Sequence, residues 1–348
     1  MMLLENKRVL ITGGTGSLGK TLVRRILSGE LGLPKKLTVF SRDEAKQYFM
    51  RLEYLKKKIS TDDIIYSKID QILDFIIGDI RDYKSIASAL RQTDVVINAA
   101  ALKQVPACEY FPSQAVETNI RGAENIVRAI DELELNIETV VGVSTDKACK
   151  PVNIMGMTKA IQERIFIQAN LRCRQTRFVC VRYGNVLVSR GSIIPLFHEQ
   201  IKNGEPLTIT SPEMTRFLLS LDQAVDIVFD AIRYANPGEI YIPRVPSAKI
   251  LDLAKALIGD RKNEIKVVGV RPGEKMHEIL ISEEELFRSI IRGDYYVVLP
   301  ILPHLRTQEV DHPLLEKEFS SLDNLLSMVG LINLLKQNHL MVEDLKSN

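Results

Sequence analysis

Two stretches of the 348-residue sequence carry side chains whose types and spacing suit chemistry. The first is TGGTGSLGKT at 12–21. As G-x-x-G-x-x-G it uses Gly13, Gly16 and Gly19, with Thr15, Ser17 and Leu18 between them, to form a tight turn. Its backbone N–H groups can then receive a pyrophosphate at a helix start. As G-x-x-x-x-G-K-T, from Gly14 to Thr21, it is formally a P-loop, which needs a magnesium-holding acid at another strand end; Asp146 is the acid on offer. The second stretch is STDKACKPVNIMGMTKA at 144–160. Asp146 and Lys147 set a carboxyl beside an amine. The pair can serve as acid and base if burial or a neighbouring charge keeps the carboxyl protonated and the amine partly neutral. Taken alone, TDK also reads as a helix N-cap in an exposed turn. Lys159 follows Met155 by one helical turn, so both share a face, and a thioether handles no protons at neutral pH.

Those residues need elements to hold them. Apolar runs at RVLIT (8–12), KLTVF (36–40), FIIGD (75–79), DVVINAA (94–100), TVVGVS (139–144) and FVCVRYGNV (178–186) read as strands. Segments with helical spacing alternate with them, so the fold class is α/β, a Rossmann-like doubly wound parallel sheet. That domain spans residues 1–185, with about 218–242 returning to it. A smaller mixed α/β substrate domain takes 186–217 and 243–348. Within it 283–318 is poorly patterned, and SLDNLLSMVGLINLLKQ predicts a terminal amphipathic helix.

The glycine loop follows the first strand. The second strand ends FSRDE, where an acid would read the ribose 2′-hydroxyl of NAD and a base would suit a 2′-phosphate. Arg42, helped by Ser41, favours NADP over NAD; the other reading makes Arg42 a surface charge and gives the ribose to Asp43. GDIRD sets Asp79 and Ile80 where an adenine would lie, or simply ends a strand.

A net charge of +2 gives no general attraction to nucleic acid or to an anionic membrane. The four cysteines form no CxxC, which fits a reducing compartment and no disulfide framework, and no metal site is read. No signal peptide or apolar stretch of about 18 residues is seen, so the expectation is a cytoplasmic protein without a membrane span.

Five segments then occur in one order: NAAALKQVPACE (98–109), STDKACKPVNIMGMTKA (144–160), RYGNVLVSRGSIIPLF (182–197), TRFLLS (215–220) and RPGEKMHE (271–278). Over about residues 7–300 the chain resembles the extended short-chain dehydrogenase/reductases, specifically the polysaccharide-biosynthesis group of UDP-N-acetylglucosamine 4,6-dehydratases. Within that group it is most similar to the capsule-type enzymes, which carry Met in place of Tyr and Cys in the VPxCE loop. The motif order also decides the glycine loop for a dinucleotide. The resemblance implies a 5-inverting dehydratase making a 4-keto-6-deoxy sugar nucleotide for bacterial surface polysaccharide, in a homo-oligomer, hexamer or dimer. Some relatives of this kind are labelled UDP-glucose 4-epimerases.

The implied chemistry oxidises the sugar at C4, which acidifies the C5 proton. A base removes that proton, an acid helps the C6 hydroxyl leave, and hydride returns to C6. On this resemblance Asp146 is the acid, Lys147 the base and Thr145 the holder of the C4 oxygen. Lys159 binds the nicotinamide ribose, and Met155 shapes the pocket. Cys108 becomes the candidate to take the C4 hydroxyl proton, because a thiol titrates below a phenol; it reads equally as a small buried thiol, with Lys159 acting through water or Thr145 instead. Ala99, Ala100, Ala101 and Lys103 line the cofactor. For a UDP-sugar substrate, Arg216 and Arg271 suit the diphosphate. Asn185 suits phosphate or sugar, Glu274 the uridine ribose and Lys103 the sugar edge, with Arg190 and Ser192 on the same segment as Asn185. Two other activities fit parts of the pattern. An epimerase needs no C5 base, so Lys147 argues against it; a non-catalytic NADP-binding sensor would not need to keep TDK, Lys159 and RPGEK.

Overall fold

In a computed structural model, which describes residues 2–56, 71–188 and 191–346, the valine- and isoleucine-rich runs form one twisted sheet. Its parallel strands are β1 (Arg8–Thr12), β2 (Lys36–Ser41), β3 (Leu73–Ile77), β4 (Val95–Asn98), β5 (Thr139–Val143) and β6 (Arg177–Val181). Their spatial order is 3-2-1-4-5-6, a Rossmann-like arrangement. Beyond β6 the sheet continues with Ile240–Pro243, parallel, and then with antiparallel Tyr295–Val298 and Ser289–Arg292.

Both faces of the sheet are covered, which is why its strands are apolar throughout rather than alternating. Leu10, Val96, Val140 and Phe178 have no exposed surface. Each such side chain contributes roughly 1.5–3 kcal/mol by leaving water. Helix Ser17–Leu27 packs against Leu221–Tyr234, and Tyr83–Leu90 against Gly122–Glu132. The strand order reverses between β1 and β4. Their ends open a crevice in which the glycine loop meets Ala99 and Ala100.

Three elements differ from the sequence reading. β3 ends at Ile77 rather than Asp79, because the chain at Gly78 passes so close to the Phe40 ring that a Cβ would come within 2.4 Å of it. β6 stops at Val181, and Asn185–Val186 pairs instead with Leu218–Leu219 in a separate three-stranded sheet. Gly184 permits this departure, since a Cβ there would stand 2.6 Å from Phe217 and 3.0 Å from Asp146 Oδ2. Third, the poorly patterned 283–318 contains a hairpin, Ser289–Arg292 and Tyr295–Val298, turning through Gly293 at φ +58° and lying on the edge of the main sheet. Four-residue strands are too short to show a period.

A second core gathers Phe197, Leu207, Leu253 and Leu257, and the expected last helix, observed at Met328–Gln337, adds Leu331 and Leu335. No helix among the described residues is long and apolar enough to cross a membrane.

Candidate active site

The glycines of the first motif have separate physical reasons. Gly13 lies at φ +67°, and a Cβ would meet the Ala100 backbone at 2.8 Å. Gly19 lets the helix sit on the turn, since its Cβ would fall 2.5 Å from the Gly14 Cα. Gly16 caps helix Ser17–Leu27 without a side-chain cap bond, and the first turn holds no acid. That helix start therefore suits an anion. Leu18 is half-buried beside it, and the Thr15 hydroxyl is 2.9 Å from that of Ser41, tying the loop to the end of β2. Lys20 is exposed, and Asp146, the acid a P-loop would need, is engaged by Lys147. The arrangement fits a dinucleotide.

At the end of β2, Asp43 accepts the Lys46 backbone N–H at 3.0 Å and pairs with the Lys46 amine. It caps the next helix. Arg42 is more than half exposed, with its guanidinium 3.9 Å from Asp79. Burial pushes the Asp79 carboxyl up, but Arg81, which grips it, and Arg42 outweigh this and hold it below the usual range. Ile80 is almost wholly buried, with Gly122 packed on its side chain. Ala99 and Ala100 are bonded through their N–H groups to Thr12, and Ala101 leads to Lys103, which is exposed.

The potential acid–base groups stand past the end of β5. The Asp146 N–H donates to Tyr183 O at 3.0 Å, and Thr145 caps a short 3₁₀ turn over Asp146–Ala148. The Thr145 hydroxyl donates to Asp146 Oδ1 at 2.9 Å. Lys147 Nζ lies 2.9 Å from the same oxygen and 3.0 Å from Glu278 Oε1. Asp146 Oδ2 is buried without a hydrogen-bond partner among the described residues. Burial raises the Asp146 pKa, Glu278 adds to the rise, Lys147 opposes it, and the net direction is upward. For Lys147 burial acts downward but Asp146 and Glu278 outweigh it, so its pKa is raised. Its immediate neighbours are two carboxylates, and the cation Arg216 counts for less.

Met155 and Lys159 do share a face of helix Ile154–Arg172. Met155 packs with Cys108 and Ala115. Lys159 Nζ donates to Val143 O at 2.8 Å and to Gln162 Oε1 at 2.9 Å, and burial pushes its pKa down to about 8. Cys108 is fully buried, its thiol 3.7 Å from Leu102 O. Burial, helped by Glu109, pushes that thiol up to about 11. That direction, with the full burial, favours the small buried thiol over the proton acceptor at Cys108. Cys108→Ala is expected to leave kcat unchanged while lowering stability by about 1 kcal/mol; steady-state turnover beside a thermal melt checks both.

Asn185, Ser192 and Arg216 line one pocket with Leu187 and Leu218, and Asn185 Oδ1 is buried there without a partner among the described residues. Arg216 is buried, its Nη1 donating to Thr215 O at 2.7 Å. Arg271 is exposed on the loop that carries Glu274, which is half-buried. That loop is tied to the start of helix Ile154–Arg172, because Asn153 Nδ2 donates to Gly273 O at 2.7 Å. Arg190 lies outside the described residues.

Sequence reasoning missed Glu278, although RPGEKMHE ends on it, and it missed the buried group Arg182, Glu163 and Glu285. It also passed over Asn119, whose amide bonds Leu102 and Thr158 and so pins the Ala99–Lys103 loop to the Met155 helix. An acid immediately before an apolar run was the one available signal for Glu278.

A family model described as polysaccharide biosynthesis protein matches residues 9–300. The chain is 46% identical over 296 residues to a UDP-glucose 4-epimerase of Rickettsia conorii, covering 84% of this chain and 82% of that one. Among solved structures it is similar to Pen from Bacillus thuringiensis, at 34% identity and TM-score 0.86, covering 98% of this chain and 100% of that one. A dTDP-glucose 4,6-dehydratase from Streptomyces venezuelae, solved with NAD, shares the fold at 21% identity and TM-score 0.63, over 77% of this chain and 86% of that one.

Proposed function

Since the chain belongs to the polysaccharide-biosynthesis protein family, sugar-nucleotide enzymes of the short-chain dehydrogenase/reductase type, we propose that it is an NADP-dependent UDP-N-acetylglucosamine 4,6-dehydratase. The observation that carries this reading is the 2.9 Å contact between Asp146 and Lys147 at a buried strand end. Moving one proton across it, from Nζ to the carboxylate, makes a neutral amine and a carboxylic acid together. Those are the two forms that elimination requires, a base for C5–H and an acid for the departing C6 hydroxyl. An epimerase has no use for the second group.

The crevice between β1 and β4 would hold the dinucleotide, whose nicotinamide would supply reversible hydride transfer. The chain does the rest. Gly13 and Gly16 with the start of helix Ser17–Leu27 would receive the pyrophosphate, and Arg42 would pair with the ribose phosphate. Thr145 holds the C4 oxygen. With Met155 and Cys108 packed against one another, the C4 hydroxyl proton falls to the Thr145 hydroxyl and to Lys159, whose pKa of about 8 lets it hold or release a proton near neutrality. Asn185 and Arg216 bind the nucleotide diphosphate from one pocket wall.

Arg42→Ala is expected to weaken NADP binding about 10- to 100-fold, the worth of charge-assisted bonds to a phosphate. NAD binding should be unchanged, and titration with both dinucleotides checks it; equal losses for the two would remove Arg42 from 2′-phosphate recognition.

Incubation with UDP-N-acetylglucosamine and NADP in D₂O tests the activity. A product lacking one water and carrying deuterium at C5 supports the dehydratase, and its ring couplings report inversion at C5. The name of the 46%-identical relative favours a second reading, the 4-epimerase. That enzyme would give the C4 epimer with no water lost and no deuterium incorporated, and this result would overturn the dehydratase. An untouched sugar with tightly bound NADP would point to a sensor.

A further inference from the structure

Glu278 is 1% exposed, yet it is not part of any apolar core. Its backbone is clamped on both sides by Ser321: the Glu278 N–H donates to Ser321 Oγ at 2.9 Å, and the Ser321 N–H donates to Glu278 O at 2.8 Å. Ser321 is itself held by the Thr215 hydroxyl at 2.6 Å. Elements 215–219, 276–281 and 319–321 therefore converge to fix one carboxylate beside Lys147. Its Oε1 lies 3.0 Å from Nζ and 3.9 Å from Arg216 Nε, and its Oε2 has no partner among the described residues.

An amine nitrogen has four tetrahedral directions. In Lys147 one is the bond to Cε, one points to Asp146 Oδ1 and one to Glu278 Oε1. The fourth is then fixed. The Lys147 side chain is 17% exposed, whereas those of Asp146 and Glu278 are 0% and 2% exposed, so of the three Lys147 is the one with appreciable access from solvent. We infer that Glu278 is the positioning residue of the proton transfer: by holding the second N–H of Lys147 it aims the remaining tetrahedral direction, lone pair or third proton, at the pocket opening. The inference rests on the dehydratase reading for the step served. In that step the C5–H bond breaks, a new N–H bond forms on Lys147, and the C5 electron pair moves to expel the C6 hydroxyl, which leaves as water with the proton from Asp146. With Asp146 alone, the two remaining directions on the nitrogen would share a proton and the lone pair, and the lone pair would have no fixed aim.

Glu278 also tunes the amine. The charged groups around Lys147 are Asp146 on its own turn, Glu278 and Lys275 on the 271–281 segment, and Arg216 on 215–219. Removing the Glu278 charge leaves Asp146 against two cations, so the amine should lose its proton more readily.

Two measurements on the NADP-loaded enzyme test this. Competitive acetylation with acetic anhydride across pH, read by mass spectrometry of the Lys147 peptide, follows the amine directly. In Glu278→Gln its titration should move down by about one pH unit or more. Deuterium entry at C5, taken at each variant's own optimum, should fall about tenfold or more with KM unchanged. Glu278→Asp keeps the charge but draws back from Nζ; its titration should stay near the wild-type value while C5 exchange still falls. This variant serves if Glu278→Gln does not fold. An unmoved Lys147 titration in Glu278→Gln, or full C5 exchange in both variants, overturns the inference. If the wild type shows no C5 exchange while the Lys147 titration still moves, the hold of Glu278 on Lys147 stands and the dehydratase reading falls.

Discussion

Asp146→Asn is expected to lower dehydration by about 10²- to 10⁴-fold, the range for removing a general acid, without loss of NADP binding or of thermal stability. Asn matches Asp in size and keeps an oxygen for the Thr145 hydroxyl and the Lys147 amine. It lacks the proton that would sit on Oδ2, the oxygen left without a partner beside Gly184. With that negative charge gone, Lys147 keeps only Glu278 and sheds its proton more easily. The variant should therefore still exchange C5–H for deuterium, returning labelled UDP-N-acetylglucosamine instead of product. Mass spectrometry of recovered sugar nucleotide reads this directly: label without water loss is the expected outcome, and unchanged water loss would take Asp146 out of the acid role. The stability half has its own sign. A carboxyl whose folded pKa is raised favours folding fully only below its unfolded value, and that contribution is lost as pH rises through the folded value. Asn carries no such dependence, so the variant should melt at or above the wild-type temperature at neutral and alkaline pH. Reduced activity together with reduced stability would indicate a collapsed site rather than a missing acid.

Residues 8–12, 36–41 and 139–143 were legible as strands because burial on both faces leaves unbroken apolar runs, and a glycine loop between strand and helix is a local pattern. The pairing of Asp146 with Lys147 was legible for the same reason of adjacency. Glu278 was not. It meets Lys147 across 131 residues of chain, and an ion pair at such separation leaves no period in the sequence. Cys108 left two readings open: its type and loop are plain in the sequence, but whether a thiol faces a cleft or packs against Met155 is decided by helices 105–110 and 154–172 meeting. FVCVRYGNV breaks after Val181, where Arg182 looks like a polar interruption yet is 2% exposed and holds two carboxylates.

Arg182→Met is expected to destabilise the fold by about 3–5 kcal/mol or more, the cost of stranding buried partners. Arg182 is 2% exposed. Its Nε and Nη2 bond both oxygens of Glu163 at 3.0 and 2.7 Å, and Nη1 and Nη2 bond both oxygens of Glu285 at 2.7 and 3.0 Å. Burial pushes Glu285 up, but Arg182 outweighs it and holds the carboxyl at about 2. A depressed carboxyl stabilises the fold above its unfolded value and loses that contribution as pH falls through the folded value. In the variant Glu163 is left buried without its cation and Glu285 keeps only Arg288, so the ionised carboxylates oppose folding as pH climbs through neutrality. The gap between wild type and variant should therefore be small near pH 4 and widen toward pH 8, which urea melts at several pH values would show. A gap independent of pH would mean the loss is one of packing. The damage should also reach the site, because Glu163 accepts the Ser144 hydroxyl at 2.5 Å and Tyr183, next to Arg182, accepts the Asp146 N–H. Adding Glu163→Gln to Arg182→Met removes the carboxylate left without a cation, while Glu285 keeps Arg288 at 3.2 Å, and should restore part of the stability. Activity should not return with it: Ser144, Thr145 and Asp146 are aimed by the charged network, and a repaired core can stabilise the strand end without holding that aim.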